Sequence, residues 1–436
     1  MSSTSRNDPI LIVGAGAFGL STTVHLLRAG FKDITVIDKD DDVPSAYSAA
    51  NDLNKIVRAE YEDDFHRELT LKAIDAWKTP LFAPHFHQVG FINACTPVAS
   101  KEAVNTMNRF RASAERSERM RHYVKSIDSK KDLEAVCWQY QNSPFPGWHG
   151  YFNGWSGYAN SGAALRTVYN AAKVQGVKFI LGSAGTASEV VYQGSGSQRK
   201  AIGVRTPGGL FYPAKLVIIA AGAAAGKLVP DIGSDLVAKS WSVAHIELTD
   251  DETAELRGIP VTYARDLGFF FEPDPKTNLL KLCPMGGGYV NTDSRTGISI
   301  PPAFKDSQFL PKGDELQLRE LLRQTFPRFA DRPFVRNSLC WFADTADSNF
   351  IIDYVPNTSS SLVMLSGDSG HGFKFFPIFG SFVKDLIDNE SGKQTIEQWR
   401  WKAGEQKSGN WGEEVSWRLG KSREFIDILP NVEAKL

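Results

Sequence analysis

A few glycine-bearing segments, several lysines and one cysteine are the residues of this chain with types and spacings suited to chemistry. The first segment is Gly14-Ala15-Gly16-Ala17-Phe18-Gly19. G-x-G-x-x-G spacing allows a tight turn, close backbone approach to a pyrophosphate and close packing of the next helix. The N-terminus of that helix favours negative phosphates. Asp38 lies 24 residues after Gly14, placed to bind ribose hydroxyls. The segment therefore predicts dinucleotide binding. The second segment is VIIAAGAAAG, residues 217–226, an apolar run entering a small-residue turn. The third is SGDSGHGFKFFPIFG, residues 366–380. Its Gly367, Gly370 and Gly372 let backbone amides reach a ligand. Lys374 there sits among Phe373, Phe375, Phe376 and Ile378, at the start of an expected helix. Such a lysine needs a solvent path or an anionic partner.

Elements must hold these residues in place. Residues 10–13 are a short apolar run. Leu20, Val24, Leu26 and Leu27 follow at helical spacing, Gly30 stops the helix, and Ile34 to Ile37 forms a second strand ending at Asp38. This is one βαβ unit. Helical patterns recur at 63–78, 101–116 and 162–175. Residues 268–274 and 279–283 read as neighbouring antiparallel strands. Strand, glycine loop and helix return at 362–387. The predicted fold is α/β: a Rossmann-type nucleotide-binding domain carrying an inserted α+β substrate domain on an antiparallel sheet. The expected segments are 8–95, 155–235 and 335–395 for the first, 96–154 and 236–334 for the second, and a tail at 396–436.

The glycine motif does not separate FAD from NAD. Its N-terminal position and the second glycine turn lean toward FAD. Lys55 and Arg58 are three apart, within one turn if helical, and suit a carboxylate; a solvated basic face is the commoner alternative. Lys281 lies between Leu280 and Leu282 and would point opposite to both in a strand. Facing a flavin, it would supply fixed positive charge for reduction of oxygen. His245, Tyr263, Phe269 and Phe271 are candidate walls of a substrate pocket. Cys340, beside Trp341 and Phe342, reads locally as a small buried hydrophobe.

Composition excludes several classes. Net charge is -1 with 42% hydrophobic and 23% charged residues, so no nucleic-acid partner or membrane surface is expected. No apolar run reaches the ~18 residues of a membrane span. Cys95, Cys137, Cys283 and Cys340 are far apart, which speaks against zinc and against a disulfide framework. The eight histidines form no metal pattern. No secretory signal is read at the N-terminus. The terminal Ala434-Lys435-Leu436 is a variant of the peroxisomal S-K-L address and implies an import receptor as partner. Peroxisomal localisation is the expectation, cytoplasmic otherwise.

Several stretches together resemble one family: LIVGAGAFG, NDLNKIVRAEY, GFFFEPD, LCWFADTADSNFIID, GDSGHGFKFFPIFG and the terminal AKL. The chain resembles the fungal fructosyl amino acid oxidases (amadoriases) and L-saccharopine and L-pipecolate oxidases, of the sarcosine oxidase and D-amino acid oxidase superfamily. The resemblance runs nearly end to end. It implies an FAD oxidase of secondary amines of amino acids, yielding an imine that hydrolyses and hydrogen peroxide, and it implies a monomer. It implies covalent FAD, joined through the 8α-methyl to Cys340. Many fungal members read C-W-C here, and this chain has Phe342 at the second cysteine. It assigns Lys281 to oxygen activation, Lys374 and Arg58 to the substrate carboxylate, and Lys55 to the flavin ring. Further cofactor contacts are expected from Gly14, Gly16, Ala17, Phe18, Gly19, Asp38 and Lys39, from Ser45, Ser48 and Asn54, from Ala187, Ala221 and Gly222, and from Gly367, Asp368, Gly370, Gly372, Phe373 and Lys374. One departure bears on substrate. Fructosyl-specific members continue C-D-E after the oxygen-site strand, whereas this chain reads Cys283-Pro284-Met285 and three glycines. An arginine of those enzymes also has no evident match in SGNWGEEVSWR. An N-alkyl or N-methyl amino acid, saccharopine or a cyclic imino acid is therefore the expected substrate, with fructosyl amino acids as the alternative.

Overall fold

The computed structural model describes residues 4–402 and 418–430. Ile10–Val13 is the centre of a six-stranded sheet because its four apolar residues serve both faces at once. Ile10 and Ile12 enter one core, Leu11 and Val13 another. The strand order is Ile351–Tyr354, Leu362–Ser366, Leu216–Ile219, Ile10–Val13, Ile34–Ile37, Lys178–Ile180. All neighbours are parallel except the antiparallel edge strand Ile351–Tyr354. Continuous apolar runs suit such a sheet, covered on both faces. One face carries the helices Ala17–Arg28, Ser161–Val174 and Phe379–Asp388, through Leu20, Val24, Leu165, Val168, Val383 and Leu386. The other face carries a three-stranded antiparallel sheet, Glu189–Gln193, Lys200–Arg205 and Phe211–Pro213.

A ten-stranded sheet forms the second layer system. Its long strand Val237–Glu247 pairs with Leu279–Pro284 and with Val335–Asp344, both antiparallel. Gly268–Phe270 pairs antiparallel with Leu279–Pro284, as the two sequence runs predict. Leu280, Leu282, Phe270, Ala244 and Ile246 face the helix Lys312–Thr325, whose Leu318, Leu321 and Leu322 are fully buried. The alternate residues of these strands therefore point the other way, toward the nucleotide-binding sheet. Two strands differ from the expected segments. Phe91–Cys95 pairs with Val261–Ala264, and Val335–Asp344 with Val237–Glu247, so their hydrogen bonds tie both to the large sheet.

The helical patterns appear as Asp64–Trp77, Lys101–Arg116 and Ser161–Val174. The Asp63 and Ser100 side chains cap the first two by accepting from backbone N–H groups. Two local expectations are corrected. Lys55 and Arg58 are not on a helix: Lys55–Val57 is a strand, consistent with the β-branched Ile56 and Val57. Lys374 does not open a helix either. It lies in a short turn, Gly372–Phe375, and the helix begins at Phe379, after Pro377. Of the tail, Arg423–Glu424 pairs with Tyr289–Val290 on the large sheet. Residues 408–417 and the Ala434-Lys435-Leu436 address lie outside the described residues. No described helix is long and apolar enough to cross a membrane.

Candidate active site

One cleft of about 1660 Å³ runs between the two large sheets. That exceeds the roughly 300–1,000 Å³ of a single-ligand pocket and leaves room for a dinucleotide beside a substrate. Its first end is built by the carboxyl ends of parallel strands. Gly14 has φ +112°, and a side chain there would strike the Ala220 carbonyl of the neighbouring strand's turn. Gly19 packs against the backbone of Gly14, where a Cβ has no room. The helix Ala17–Arg28 has no side chain capping its N-terminus and no acid in its first turn. Its first amides are thus presented to the cleft, a setting that suits a pyrophosphate. Asp38 accepts from the Ala15 N–H at 2.8 Å and the Asp40 N–H at 3.1 Å, while burial pushes its carboxyl up. Lys39 lies 3.5 Å from the centre of the Tyr47 ring.

Gly16, Ala17, Phe18, Ser45, Ser48, Ala187, Ala221, Gly222, Asp368, Gly370 and Phe373 line the same cleft. Burial pushes Asp368 up to about 6, against the hydrogen bond its carboxylate accepts from Ala343 N–H. Gly19, Asn54, Gly367 and Gly372 do not line it; they support the wall. Gly372 packs on Phe18, and Gly367 makes a turn against Thr345. The Asn54 Oδ1 is buried with no protein partner. The glycine cradle and the uncapped helix fit FAD.

The middle of the cleft holds a buried charge cluster. Asp52 accepts from Lys281 Nζ and stands 2.8 Å from Lys55 Nζ. Lys281 also donates to the Asn54 carbonyl at 2.7 Å. The Lys281 side chain is 2% exposed and that of Asp52 8%, so the pair is shielded from water. Burial works against the Asp52 carboxylate, yet the two ammonium groups together hold its pKa below the usual range. The same carboxylate raises Lys55 against the opposing effect of burial. Lys55 Nζ reaches Cys340 Sγ at 3.7 Å. Burial pushes the Cys340 thiol up and Lys55 opposes this. Asp52 was not foreseen, although an acid three residues before a candidate lysine is a readable signal.

The far end of the cleft suits a carboxylate. Lys374 is 4% exposed and donates to Tyr61 Oη at 2.7 Å. Burial pulls its pKa well below the usual lysine range; Arg58 adds to this and Glu60 opposes it. Tyr61 is hydrogen-bonded to His371 Nδ1 at 2.8 Å, and His371 Nε2 to the Ser348 carbonyl at 2.8 Å. Arg58 donates to the Glu60 carbonyl and lies 4.6 Å from the Phe110 ring centre. Tyr61 and His371 were also missed, because their partners lie some three hundred residues apart in sequence. Tyr263 stacks on Phe269 at 5.3 Å, Phe269 meets Phe271 at 5.8 Å, and Lys281 Nζ stands 5.0 Å from the Phe271 ring. His245 is paired across the strand with Lys281 and donates from Nδ1 to the Arg336 carbonyl at 3.2 Å. Burial pushes His245 down to about 4. Its neutral Nε2 is buried with no protein partner. Arg418 reaches the cleft wall, but its guanidinium is engaged by buried Asp344. No metal-binding group occurs among the described residues, and all four cysteines are unpaired.

The chain belongs to the FAD-dependent oxidoreductase (DAO) family, which it matches over residues 9–386. It is an FAD-dependent amine oxidase, which sets aside the nicotinamide alternative. It is 34% identical to the L-saccharopine oxidase of Schizosaccharomyces pombe, over 95% of this chain and 96% of that protein. It is 27% identical to an amino acid oxidase of Aspergillus flavus, over 88% and 94% of the two chains. The crystal structure of fructosamine oxidase (Amadoriase II) from Aspergillus fumigatus matches with a TM-score of 0.84 at 30% identity, covering 98% of this chain and 97% of that one.

Proposed function

We propose that this protein oxidises the C–N bond of an N-substituted amino acid, such as an N-alkyl or N-methyl amino acid or saccharopine. The observation that carries the reading is one cleft joining a dinucleotide cradle, the Lys281–Asp52–Lys55 cluster and a buried cationic end at Lys374 and Arg58. Lys374 and Arg58 bind the substrate carboxylate. The aromatic rings of Tyr263, Phe269 and Phe271 exclude water and orient the amine. FAD, which the Gly14–Gly19 turn and the first amides of the helix Ala17–Arg28 would hold, would supply the acceptor for a hydride equivalent from the carbon next to nitrogen and the route of those electrons to O₂, giving hydrogen peroxide. The imine product then hydrolyses in water. Lys281 keeps a positive charge where reduced oxygen develops its negative charge. Cys340 would tether the cofactor as an 8α-S-cysteinyl thioether, the two electrons released when the S–H and methyl C–H bonds give way to the C–S bond passing to the flavin ring and from it to O₂. A fructosyl amino acid is disfavoured, since Pro284 and Met285 stand where the resemblance expects acids, and Arg418 is engaged by Asp344.

The protein acts as a monomer in the peroxisome, addressed by Ala434-Lys435-Leu436, where peroxide is disposed of. A panel of N-methyl amino acids, saccharopine, pipecolate and fructosyl amino acids, scored by peroxide release, tests the substrate class. Peroxide from fructosyl substrates alone would reverse the preference. Acid precipitation tests the tether: flavin should stay with the wild-type pellet and pass to the supernatant in Cys340→Ala.

A further inference from the structure

The carboxylate end of the cleft rests on a chain of hydrogen bonds that runs away from the substrate into the protein. Its last acceptor is the Ser348 carbonyl, 2.8 Å from His371 Nε2. A carbonyl can only accept, so Nε2 carries the hydrogen. A neutral imidazole then has its lone pair on Nδ1. Nδ1 accepts the Tyr61 O–H at 2.8 Å, and that leaves the Tyr61 oxygen as an acceptor toward Lys374 Nζ at 2.7 Å. Every link points the same way. Lys374 is thereby held as a donor to Tyr61, and two of its N–H groups remain for a ligand, since among the described residues Nζ makes no other hydrogen bond.

Protonation of His371 would reverse the chain. Nδ1–H would donate to Tyr61, whose hydroxyl hydrogen would turn toward an ammonium that cannot accept it. Burial keeps His371 well below the usual histidine range, with Lys374 and His66 acting in the same direction. The charged and titratable groups facing this chain are Arg58 and Glu60 beside Lys374, Asp63 and His66 at the start of the helix Asp64–Trp77, and Arg418 from the C-terminal segment. Amid these groups it is His371 Nδ1 that takes the Tyr61 hydroxyl hydrogen, at 2.8 Å.

We propose that His371 is a positioning residue for substrate recognition: held by the Ser348 carbonyl, it fixes the Tyr61 hydroxyl and so aims the Lys374 ammonium at the carboxylate of the amino acid substrate. This rests on the reading of Lys374 as the carboxylate anchor. The role is one of binding and charge.

The test compares FAD-loaded wild type, His371→Gln, His371→Leu and Tyr61→Phe. Glutamine can donate to Ser348 through its amide nitrogen and accept from Tyr61 through its oxygen, whereas leucine does neither. Propionate affinity is measured by calorimetry across pH, and kcat and KM are measured with an N-methyl amino acid. His371→Leu and Tyr61→Phe should weaken propionate binding and raise KM about tenfold, the effect of one charge-assisted hydrogen bond, with kcat nearly unchanged. The alkaline limit of propionate binding should move to lower pH in both, because an acceptor that favours the charged ammonium has been lost or misdirected. His371→Gln should bind propionate close to wild type. An unaltered affinity and alkaline limit in His371→Leu, or a glutamine variant as weak as the leucine one, would overturn the proposal. If His371→Leu does not fold, the contrast between Tyr61→Phe and His371→Gln decides on the same criteria. Propionate binding that follows this pattern in a protein unable to oxidise any secondary-amine acid would sink the substrate reading and leave the positioning role standing.

Discussion

At the scale of residues, the site is governed by how buried charges are compensated. Asp52 answers two ammonium groups at once, Lys281 and Lys55. Its replacement by asparagine leaves buried cations unpaired, and loss of one partner of a buried pair costs about 3–5 kcal/mol. Asp52→Asn should therefore unfold at markedly lower urea concentration than wild type. Lys281→Met should slow reoxidation by dioxygen about 10²–10³-fold, with anaerobic reduction by substrate little changed; stopped-flow measurement of the two half-reactions separates them. His245 gives a pH dependence of known sign. Its folded pKa is about 4, against an ordinary value near 6.5, so the unfolded chain binds a proton that the folded chain refuses. Its contribution is complete above pH ~6.5, is lost progressively as pH falls, and levels off below pH ~4. Urea midpoints at pH 7 and pH 5 should differ more in wild type than in His245→Leu. The charges themselves were legible as residue types, since a lysine between leucines or among phenylalanines demands an explanation. Their partners were not, because Asp52 meets Lys281 across 229 positions.

At the scale of elements, alternation in strands did most of the positioning. Leu280 and Leu282 anchor one face while Lys281 and Cys283 take the other, and Phe270 is likewise opposed by Phe269. Strengthening or weakening the core face should leave the chemistry alone. Leu321→Ala, in the helix under that sheet, should cost about 2–5 kcal/mol in urea unfolding with KM unchanged. The first glycine turn behaves otherwise. Gly14→Ala should prevent flavin retention, read as the ratio of visible to ultraviolet absorbance, because the added methyl meets the Ala220 carbonyl. Helices and strands with a sustained apolar period were readable from the chain. The two misread segments are short and mixed. Around Lys55 a three-residue strand is set by pairing with Gly157–Ala159, and around Lys374 a turn precedes the helix that starts beyond Pro377. Neither pairing partner nor turn geometry is encoded in local periodicity.

At the scale of the molecule, the active site exists only as the gap between two sheets. Ligands that bind that gap should hold the layers together, so FAD-loaded protein should melt higher than protein stripped of flavin, by an amount that grows with flavin concentration when the proposed tether is removed in Cys340→Ala. The glycine spacing, the acid after the second strand, the apolar strands and the paired antiparallel runs were all written in the chain, because each depends on neighbours within a few tens of residues. So were the class of fold and the kind of chemistry. What awaited the folded molecule was the meeting of distant segments: Cys340 beside Lys55, Asp52 between two lysines, Lys374 on Tyr61 and Tyr61 on His371. Local sequence restricts which conformations a segment can adopt. The contacts that match a buried charge with its partner arise only when sheets pack, since only then does exclusion of water make that match decisive.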